Sequence, residues 1–255
     1  MHAGSVAAGV GAKPYTIEAG KKALCDHLKR KNISGTVSAS SEYGPFYTIN
    51  YNVTGKIKVL ILIQGEQSEN LARQEIKKTI FKCDLMKIDE LEIENISEYT
   101  YIFFVSDGYE MYRKTDSAQK VDKGIIDELV QCLQSDDNSA ASATVYYKNK
   151  VYSAGYCYSS SFKEYIRPLY RNVPIKDPAY MNRLKFRQNV SLLGGGIFAV
   201  KSDIYMEYLK KNGEYDINDI SQERLFSNME WFKICLFIKE KQKNCVLSPL
   251  KPLEI

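Results

Sequence analysis

An acidic turn directly follows a strongly apolar stretch of the sequence. Residues 101–105 are all β-branched or aromatic, which predicts a strand that is covered on both faces. Asp107 and Gly108 then form a strong turn signal, and Glu110 follows. Ligands of open α/β sheets bind just beyond the carboxyl ends of the strands. Asp107 and Glu110 are therefore candidate ligands for a divalent metal and a nucleotide. The alternative is that Asp107 and Gly108 form only a turn.

Two arginines, a run of glycines and a tyrosine-rich segment are further candidates. Arg183 and Arg187 lie four residues apart, so a helix would place them on one face, where they could hold a diphosphate or an acidic glycan. A solvated surface is the alternative. Gly194-Gly195-Gly196 lacks the Gly-Lys-Ser/Thr ending of a phosphate-binding loop, which favours close backbone packing. Residues 156–178 form a long loop whose tyrosines could stack on sugar rings or simply pack: Tyr156, Tyr158, Tyr165 and Tyr170.

The composition argues against several function classes. The net charge of +4 is spread over 255 residues without a block of like charges, so nucleic-acid binding is not expected. His2 and His27 are the only histidines, and the six cysteines form no C-x-x-C pair, which argues against zinc and against histidine-activated nucleophiles. Reduced thiols in a cytoplasmic protein are expected. The longest aliphatic run, 59–63, is too short for a transmembrane segment, and residues 1–12 do not resemble a signal peptide.

The spacing of apolar residues predicts an α/β protein in two parts. Residues 1–55 are expected to form an N-terminal connector, with a helix over 17–31 and short strands over 36–39 and 46–53. Residues 56–255 are expected to form a mostly parallel mixed sheet flanked by helices. The predicted strands of this part are 57–63, 100–105, 142–148, 151–153, 189–200 (interrupted by the glycines 194–196) and 246–247. Its predicted helices are ten residues ending at 78, 121–133, 203–211 with Ser202 as N-cap, and 222–241. Residues 64–70 are a polar stretch, expected to be a loop before the first of these helices. Residues 84–97 fit either a short strand or a helix.

Several blocks of the chain, in their order and spacing, resemble bacterial family 2 glycosyltransferases of the GT-A fold. These enzymes make cell-surface polysaccharides and often carry two such domains in tandem. The resemblance runs from about residue 13 to residue 252. Residues 13–30 are similar to the connector before such a domain, and 101–110 to its metal-binding acidic motif. Residues 151–155 resemble one of its strands, 177–201 its acceptor side, and 222–241 the helix that carries its catalytic acids.

The resemblance implies a GT-A-like (Rossmann-like) fold, Mn²⁺ or Mg²⁺ as cofactor, and a nucleoside-diphosphate sugar and a glycan acceptor as substrates. It places Asp107 and Glu110 on the donor side, with Asp107 also as the metal ligand, and the spacing of Arg183 and Arg187 makes them further donor-side candidates. It places four residues on the acceptor side: Tyr180, Gly194, Gly195 and Gly196.

The chain departs from the family pattern at three places. The last Asp of the metal motif is replaced by Gly108. The position of the catalytic base is occupied by Asn228, whose amide cannot take a proton from an acceptor hydroxyl. Glu230 is the nearest acid, but it lies two residues further on and needs a shift of register. Residues 64–99 are also short for the family, which fits two further helical crossovers and a strand there, so the nucleotide-binding half is shortened.

Two functions follow from the resemblance and its departures. In the first, the protein is a degenerate glycosyltransferase domain with impaired catalysis. It would act as a binding or scaffold module beside an active glycosyltransferase, or as the remnant of a split tandem enzyme. In the second, it is an active inverting transferase, with metal and donor on Asp107 and Glu110 and with Glu230 as base. The expected location is cytoplasmic, with peripheral association at the inner face of the membrane as a further expectation.

Overall fold

The computed structural model describes residues 15–87, 90–91, 93–112, 123–159, 165–212 and 227–255. The chain divides into two compact units, with the boundary between Val53 and Thr54.

The first unit is a helix packed on a hairpin. Helix α1 (Tyr15–Arg30) is followed by the antiparallel strands β1 (Gly35–Ala39) and β2 (Tyr47–Tyr51). Leu28 and Val37 are buried, and the Tyr47 hydroxyl donates to the carbonyl of Ile17 at 2.9 Å. The helix and the two strands predicted from the sequence are confirmed.

The second unit alternates strands and helices along most of its length. Its strands are β3 (Lys58–Ile63), β4 (Lys82–Lys87), β5 (Tyr101–Val105), β6 (Glu110–Met111), β7 (Asn138–Tyr147), β8 (Lys150–Ser153), β9 (Tyr156–Ser159), β10 (Tyr165–Pro168), β11 (Gln188–Val190), β12 (Ile197–Lys201) and β13 (Asn244–Glu254). Its α-helices are α2 (Glu66–Ile76), α3 (Ile125–Cys132), α4 (Ser202–Lys211) and α5 (Asn228–Glu240). Two short 3₁₀ helices cover Ile93–Glu98 and Tyr180–Asn182.

One mixed sheet organises this unit, in the strand order β11-β13-β7-β12-β5-β3-β4. Strand β3 is parallel to both β4 and β5, and β13 is parallel to β7. Strand β12 runs antiparallel between β5 and β7, and β6 and β11 lie antiparallel to β13. Strands β9 and β10 form a separate hairpin. The predicted class, an α/β protein with a mixed sheet flanked by helices, is confirmed. The sheet is not mostly parallel, however, because three of its described strand pairs are parallel and five are antiparallel.

The core lies on both faces of the central strands. Strand β5 is buried at every position, as its unbroken apolar run predicted. On one face, Phe104 packs edge-on against Tyr205 of α4, with ring centroids 5.4 Å apart, and Phe198 stacks on Trp231 of α5 at 5.3 Å. On the other face, α2 contacts β3 and β5, and α3 contacts β7 and β13. The six cysteines are free thiols.

The predicted strand over 189–200 is interrupted at the glycines as expected, but its two parts are separate strands in different parts of the sheet. Strand β11 pairs with β13 at the edge, whereas β12 lies in the centre. The turn between them needs the left-handed backbone of Gly195 (φ 90°) and Gly196 (φ 70°), which residues with a β-carbon rarely adopt.

Other boundaries also differ from the expectation. Helix α2 begins at Glu66, inside the stretch expected to be a polar loop, and the predicted loop 156–178 contains the β9–β10 hairpin. Ser202 lies within α4 rather than capping it, and Lys201 is the N-cap. Strand β13 is much longer than the predicted 246–247. The predicted starts of two helices fall at 121–122 and 222–226, outside the described residues.

Candidate functional site

The carboxylate of Asp107 caps the first turn of α2. Its Oδ1 accepts the backbone N–H of Ser68 at 2.7 Å. Two glutamine side chains fix the same turn: Gln64 accepts the N–H of Asp107 at 3.0 Å, and Gln67 accepts the N–H of Gly108 at 2.9 Å. A carboxylate at a helix N-terminus satisfies a free N–H group and interacts favourably with the helix dipole. The acidic turn therefore stabilises the N-terminus of α2.

Gly65 allows this close approach. A β-carbon on Gly65 would collide with the Asp107 carboxylate, so the glycine leaves the space that the acid occupies. The carboxylate is thus packed against the N-terminal residue of a helix.

Glu110, the second predicted metal ligand, lies apart from this cap. It is exposed on β6 and stands opposite Glu254 of β13 in the strand register. Like charges at opposed positions repel each other unless something neutralises them. Both glutamates line a cleft of about 1300 Å³ between α2, the start of α3 and the end of β13, and Gly108 lines it too. No group of three histidine, cysteine or acidic side chains that could hold a metal is found among the described residues.

The predicted base position and the predicted acceptor side lie together. Asn228, the first residue of α5, accepts the N–H of Gly195 with its Oδ1 at 2.9 Å. A β-carbon on Gly194 would lie 2.5 Å from the same oxygen and 3.0 Å from the ring of Tyr156. All three glycines are buried. The glycine run is therefore closely packed, as predicted, and the Asn228 side chain is one of the groups packed against its backbone.

The glycine run also reaches the acidic turn. The N–H of Ser106 donates to the carbonyl of Gly196 at 2.8 Å, and the ring of Tyr109 lies against Gly196. Burial raises the pKa of Tyr109 above its usual value, and a hydrogen bond from the backbone of Gly196 partly offsets this. The end of β5, the glycine run and the start of α5 therefore meet in one place, as the order of the sequence blocks implied.

Glu230 is held inside the fold. Its side chain is buried, accepts the Tyr208 hydroxyl at 2.5 Å and forms an ion pair with Lys233 at 3.3 Å. Its own N–H donates to the Ser227 hydroxyl at 3.2 Å, which caps α5. Glu230 does not line the cleft that contains Glu110. The carboxylate thus has two partners of its own and lies on a different side of α5 from Asn228.

The two arginines do not share a helix face, so that prediction is wrong. The helical turn at Tyr180–Asn182 is only one 3₁₀ turn, and the positive φ of Met181 and Asn182 ends it before Arg183. Arg183 is exposed. Arg187 instead points its guanidinium at Glu128 of α3, with both contacts at 2.6 Å, and reaches Gln131 at 3.1 Å.

The tyrosines that were predicted to contact a sugar, in the loop 156–178 and at Tyr180, have different environments. Tyr156 is buried edge-on against Phe232, with ring centroids 4.8 Å apart. Tyr158 and Tyr170 are partly buried against the same core, whereas Tyr180 is 77% exposed. Tyr165 lies in β10, and the placement of its side chain is outside the described set.

Sequence reasoning missed the partners that hold these side chains. Ser68 and the two glutamines that fix the Asp107 turn lie in a stretch that was taken for a polar loop. Glu128, the partner of Arg187, lies on a predicted helix, but nothing in a single sequence links the two positions. Ser68 does carry a local signal, because a serine at the third helical position can bond back to the residue before the helix, as it does here with Gly65 at 2.9 Å.

Comparison with known proteins gives a structural likeness and no sequence match. No protein-family model matches the sequence, and no curated protein sequence matches it. The crystal structure of GalNAc-T7 with UDP, GalNAc and Mn²⁺ is similar to this chain at 12% identity, with a TM-score of 0.48 over 86% of this chain and 47% of that one. The chain thus spans about half the length of that structure. A197 from STIV is similar at 8% identity, with a TM-score of 0.36 over 77% of this chain and 84% of that one.

None of the helices formed by the described residues has the length and the apolar character needed to cross a membrane.

Proposed function

We propose that this protein is a GT-A-like glycosyltransferase domain with impaired sugar transfer, and that it acts as a binding or scaffold module. The observation that carries the proposal is the position of the Asp107 carboxylate, which accepts the Ser68 N–H at 2.7 Å and thereby caps α2. In the resembling family the metal and the donor diphosphate are held by the acid that Gly108 replaces here, and Asp107 is the neighbouring acid that could substitute for it.

The order of the elements supports the GT-A-like part of the proposal. The acidic turn after β5, the glycine run before β12 and the start of α5 meet around Gly196 and Asn228. These are the blocks to which the sequence resemblance assigns the metal, the acceptor and the catalytic base. The described residues between β3 and β5 form α2, β4 and the 3₁₀ helix Ile93–Glu98, whereas the family fits two further helical crossovers and a strand there.

The chemistry of the side chains supports the loss of transfer. A hard divalent cation needs several oxygen ligands, and Asp107 is already bonded to a helix. An inverting transfer needs a base beside the acceptor oxygen. Asn228 cannot act as one, and Glu230 is engaged by Tyr208 and Lys233. Arg187 is paired with Glu128 instead of being available to a diphosphate.

The module would work in bacterial polysaccharide synthesis. It would bind a nucleoside-diphosphate sugar or a glycan without transferring the sugar. It would lie beside an active glycosyltransferase as its partner, or be the remnant of a split tandem enzyme. Its place would be the cytoplasm, peripheral to the inner face of the membrane.

A calorimetric titration tests the proposal. The wild-type chain is titrated with a panel of nucleoside-diphosphate sugars, with and without Mn²⁺, beside the variants Asp107→Ala and Asp84→Ala. Asp84 is a matched control because its carboxylate also accepts a hydrogen bond, here from the Tyr99 hydroxyl at 3.0 Å, but lies on β4, away from the acidic turn. We expect no Mn²⁺-dependent donor binding by any of the three proteins. Saturable Mn²⁺-dependent binding that Asp107→Ala abolishes and Asp84→Ala retains would overturn the proposal in favour of an active, metal-dependent transferase.

A further inference from the structure

Two neighbouring apolar side chains protrude from the segment before β11. Tyr180 is 77% exposed and Met181 is 57% exposed. Single exposed apolar residues are common on proteins and need no explanation. Two large ones side by side, at the end of a turn, form a small apolar tip. We call Tyr180 and Met181 the apolar tip.

The backbone around the apolar tip is strained. Ala179 has φ 59° and ψ 177°, a region that is almost restricted to glycine, and Met181 and Asn182 are left-handed with φ 52° and 56°. Hydrogen bonds hold this shape: Asp177 accepts the N–H of Ala179 at 2.8 Å, and Pro178 accepts that of Leu184 at 3.1 Å. The apolar tip is thus held outward by a defined turn, against a conformational cost.

Cations flank the apolar tip. Lys176 and Arg183 are exposed on its two sides, and neither forms an ion pair with any residue that the structure describes. The nearest acid in the sequence, Asp177, is engaged with the N–H of Ala179. Asp177 keeps its negative charge, so residues 176–183 hold two cations and one acid, a net charge of +1, beside an aromatic ring and a flexible thioether.

We propose that the apolar tip and its flanking cations, Lys176 and Arg183, dock this protein on an anionic phospholipid membrane. A tyrosine ring suits the level of the lipid headgroups, and exposed cations are attracted to anionic lipids. A specific protein interface usually has some twenty or more residues on each side, and a protruding tip of two residues offers far less. A bilayer, in contrast, can accept a small apolar tip without a shaped partner surface. This proposal rests on the proposed function, which gives the protein a location peripheral to the membrane, and it names the surface that would bind there.

Vesicle sedimentation tests the inference. The full chain is mixed with vesicles of phosphatidylcholine alone or of phosphatidylcholine with phosphatidylglycerol. We expect binding to the mixed vesicles that falls as salt is added. The variant Lys176→Gln/Arg183→Gln should lower the partition coefficient about fivefold for each cation removed. The variant Tyr180→Ser/Met181→Ser should reduce it as well. Both changes are on exposed side chains, and the midpoint of urea unfolding will confirm that each variant folds.

Matched controls come from other exposed positions. Tyr15→Ser removes a tyrosine that is 65% exposed on α1, and Lys210→Gln removes an exposed cation on α4. Neither should change the partition coefficient. Three results would overturn the inference: equal binding to neutral and mixed vesicles, equal losses in the control variants, or no binding of the wild-type chain to either vesicle. The last result would indicate that an acidic protein, and not a membrane, binds the apolar tip. Donor titration and vesicle binding are separate measurements, so this inference and the proposed function can fail independently.

Discussion

Replacing Arg187 with leucine tests whether this residue has a structural role. Arg187 was predicted to bind a diphosphate, but in the structure it forms an ion pair with Glu128. Arg187 approaches both oxygens of Glu128 at 2.6 Å, and the two side chains are only 12% and 10% exposed. The hydroxyl of Ser248 donates to the same carboxylate at 2.6 Å. The substitution would leave the Glu128 carboxylate buried with one strong hydrogen-bond donor and no cation.

The expected loss follows from this burial. Removing one member of a buried ion pair costs about 3–5 kcal/mol, because the other charge stays out of water. Ser248 still stabilises the carboxylate, so we expect about 3 kcal/mol for Arg187→Leu. Removing both charges in Glu128→Leu/Arg187→Leu should restore most of the stability, since apolar replacements of whole buried pairs are often neutral. The control Arg73→Leu breaks a pair with Glu69 in which the arginine is 62% exposed, and should cost about 0.5 kcal/mol.

Urea unfolding followed by circular dichroism measures these differences. The four proteins are compared at neutral pH, with the slope of the unfolding free energy against urea checked for constancy. A loss below about 1 kcal/mol for Arg187→Leu would refute the interpretation of Arg187 as a structural residue. So would a double variant that is as unstable as the single one, because the cost would then not come from the unpaired charge.

Four further changes test other parts of the structure. Asp107→Ala should lower the unfolding free energy by about 1 kcal/mol through loss of the α2 cap; an unchanged urea midpoint would contradict the cap. Gly194→Ala should cost about 1–3 kcal/mol, since its β-carbon would lie 2.5 Å from Asn228 Oδ1; a midpoint equal to wild type would show that the glycine run is loosely packed. Ala179→Gly should raise stability by about 1 kcal/mol by relieving strain, and an unchanged melting temperature would remove the strain argument. Burial raises the pKa of Tyr101 from 10.0 to about 12, so the free energy of unfolding of the wild type should fall as the pH rises from 10 towards 12. Tyr101→Phe has no hydroxyl there to ionise, so wild type should lose stability relative to it over this range, and a constant difference between the two would contradict the shift.

The parts of the fold that could be predicted are those whose signal is local. Strand β5 was predicted because five apolar residues in a row fit a strand buried on both faces, and α1 was predicted because its apolar residues recur with helical spacing. The packing of the glycine run was also predicted, because it lacks the residues of a phosphate loop.

The parts that could not be predicted depend on contacts between distant positions. Asp107 and Ser68 are 39 residues apart, and Arg187 and Glu128 are 59 apart. No local pattern shows that one will cap or neutralise the other. The interruption of 189–200 at the glycines was predicted, but the separate positions of β11 and β12 were not, because they depend on pairing with distant strands.

The most direct test of the account is whether Asp107 holds a metal. Electron paramagnetic resonance of Mn²⁺ distinguishes the free ion from the protein-bound ion, and is measured with excess nucleoside-diphosphate sugar, with matched samples that contain donor and no protein. Wild-type protein should leave the Mn²⁺ signal equal to that of the samples without protein, because Asp107 Oδ1 accepts the Ser68 N–H and the described residues offer no group of three metal-ligating side chains. A signal that wild-type protein reduces with saturation, and that Asp107→Ala restores, would contradict it.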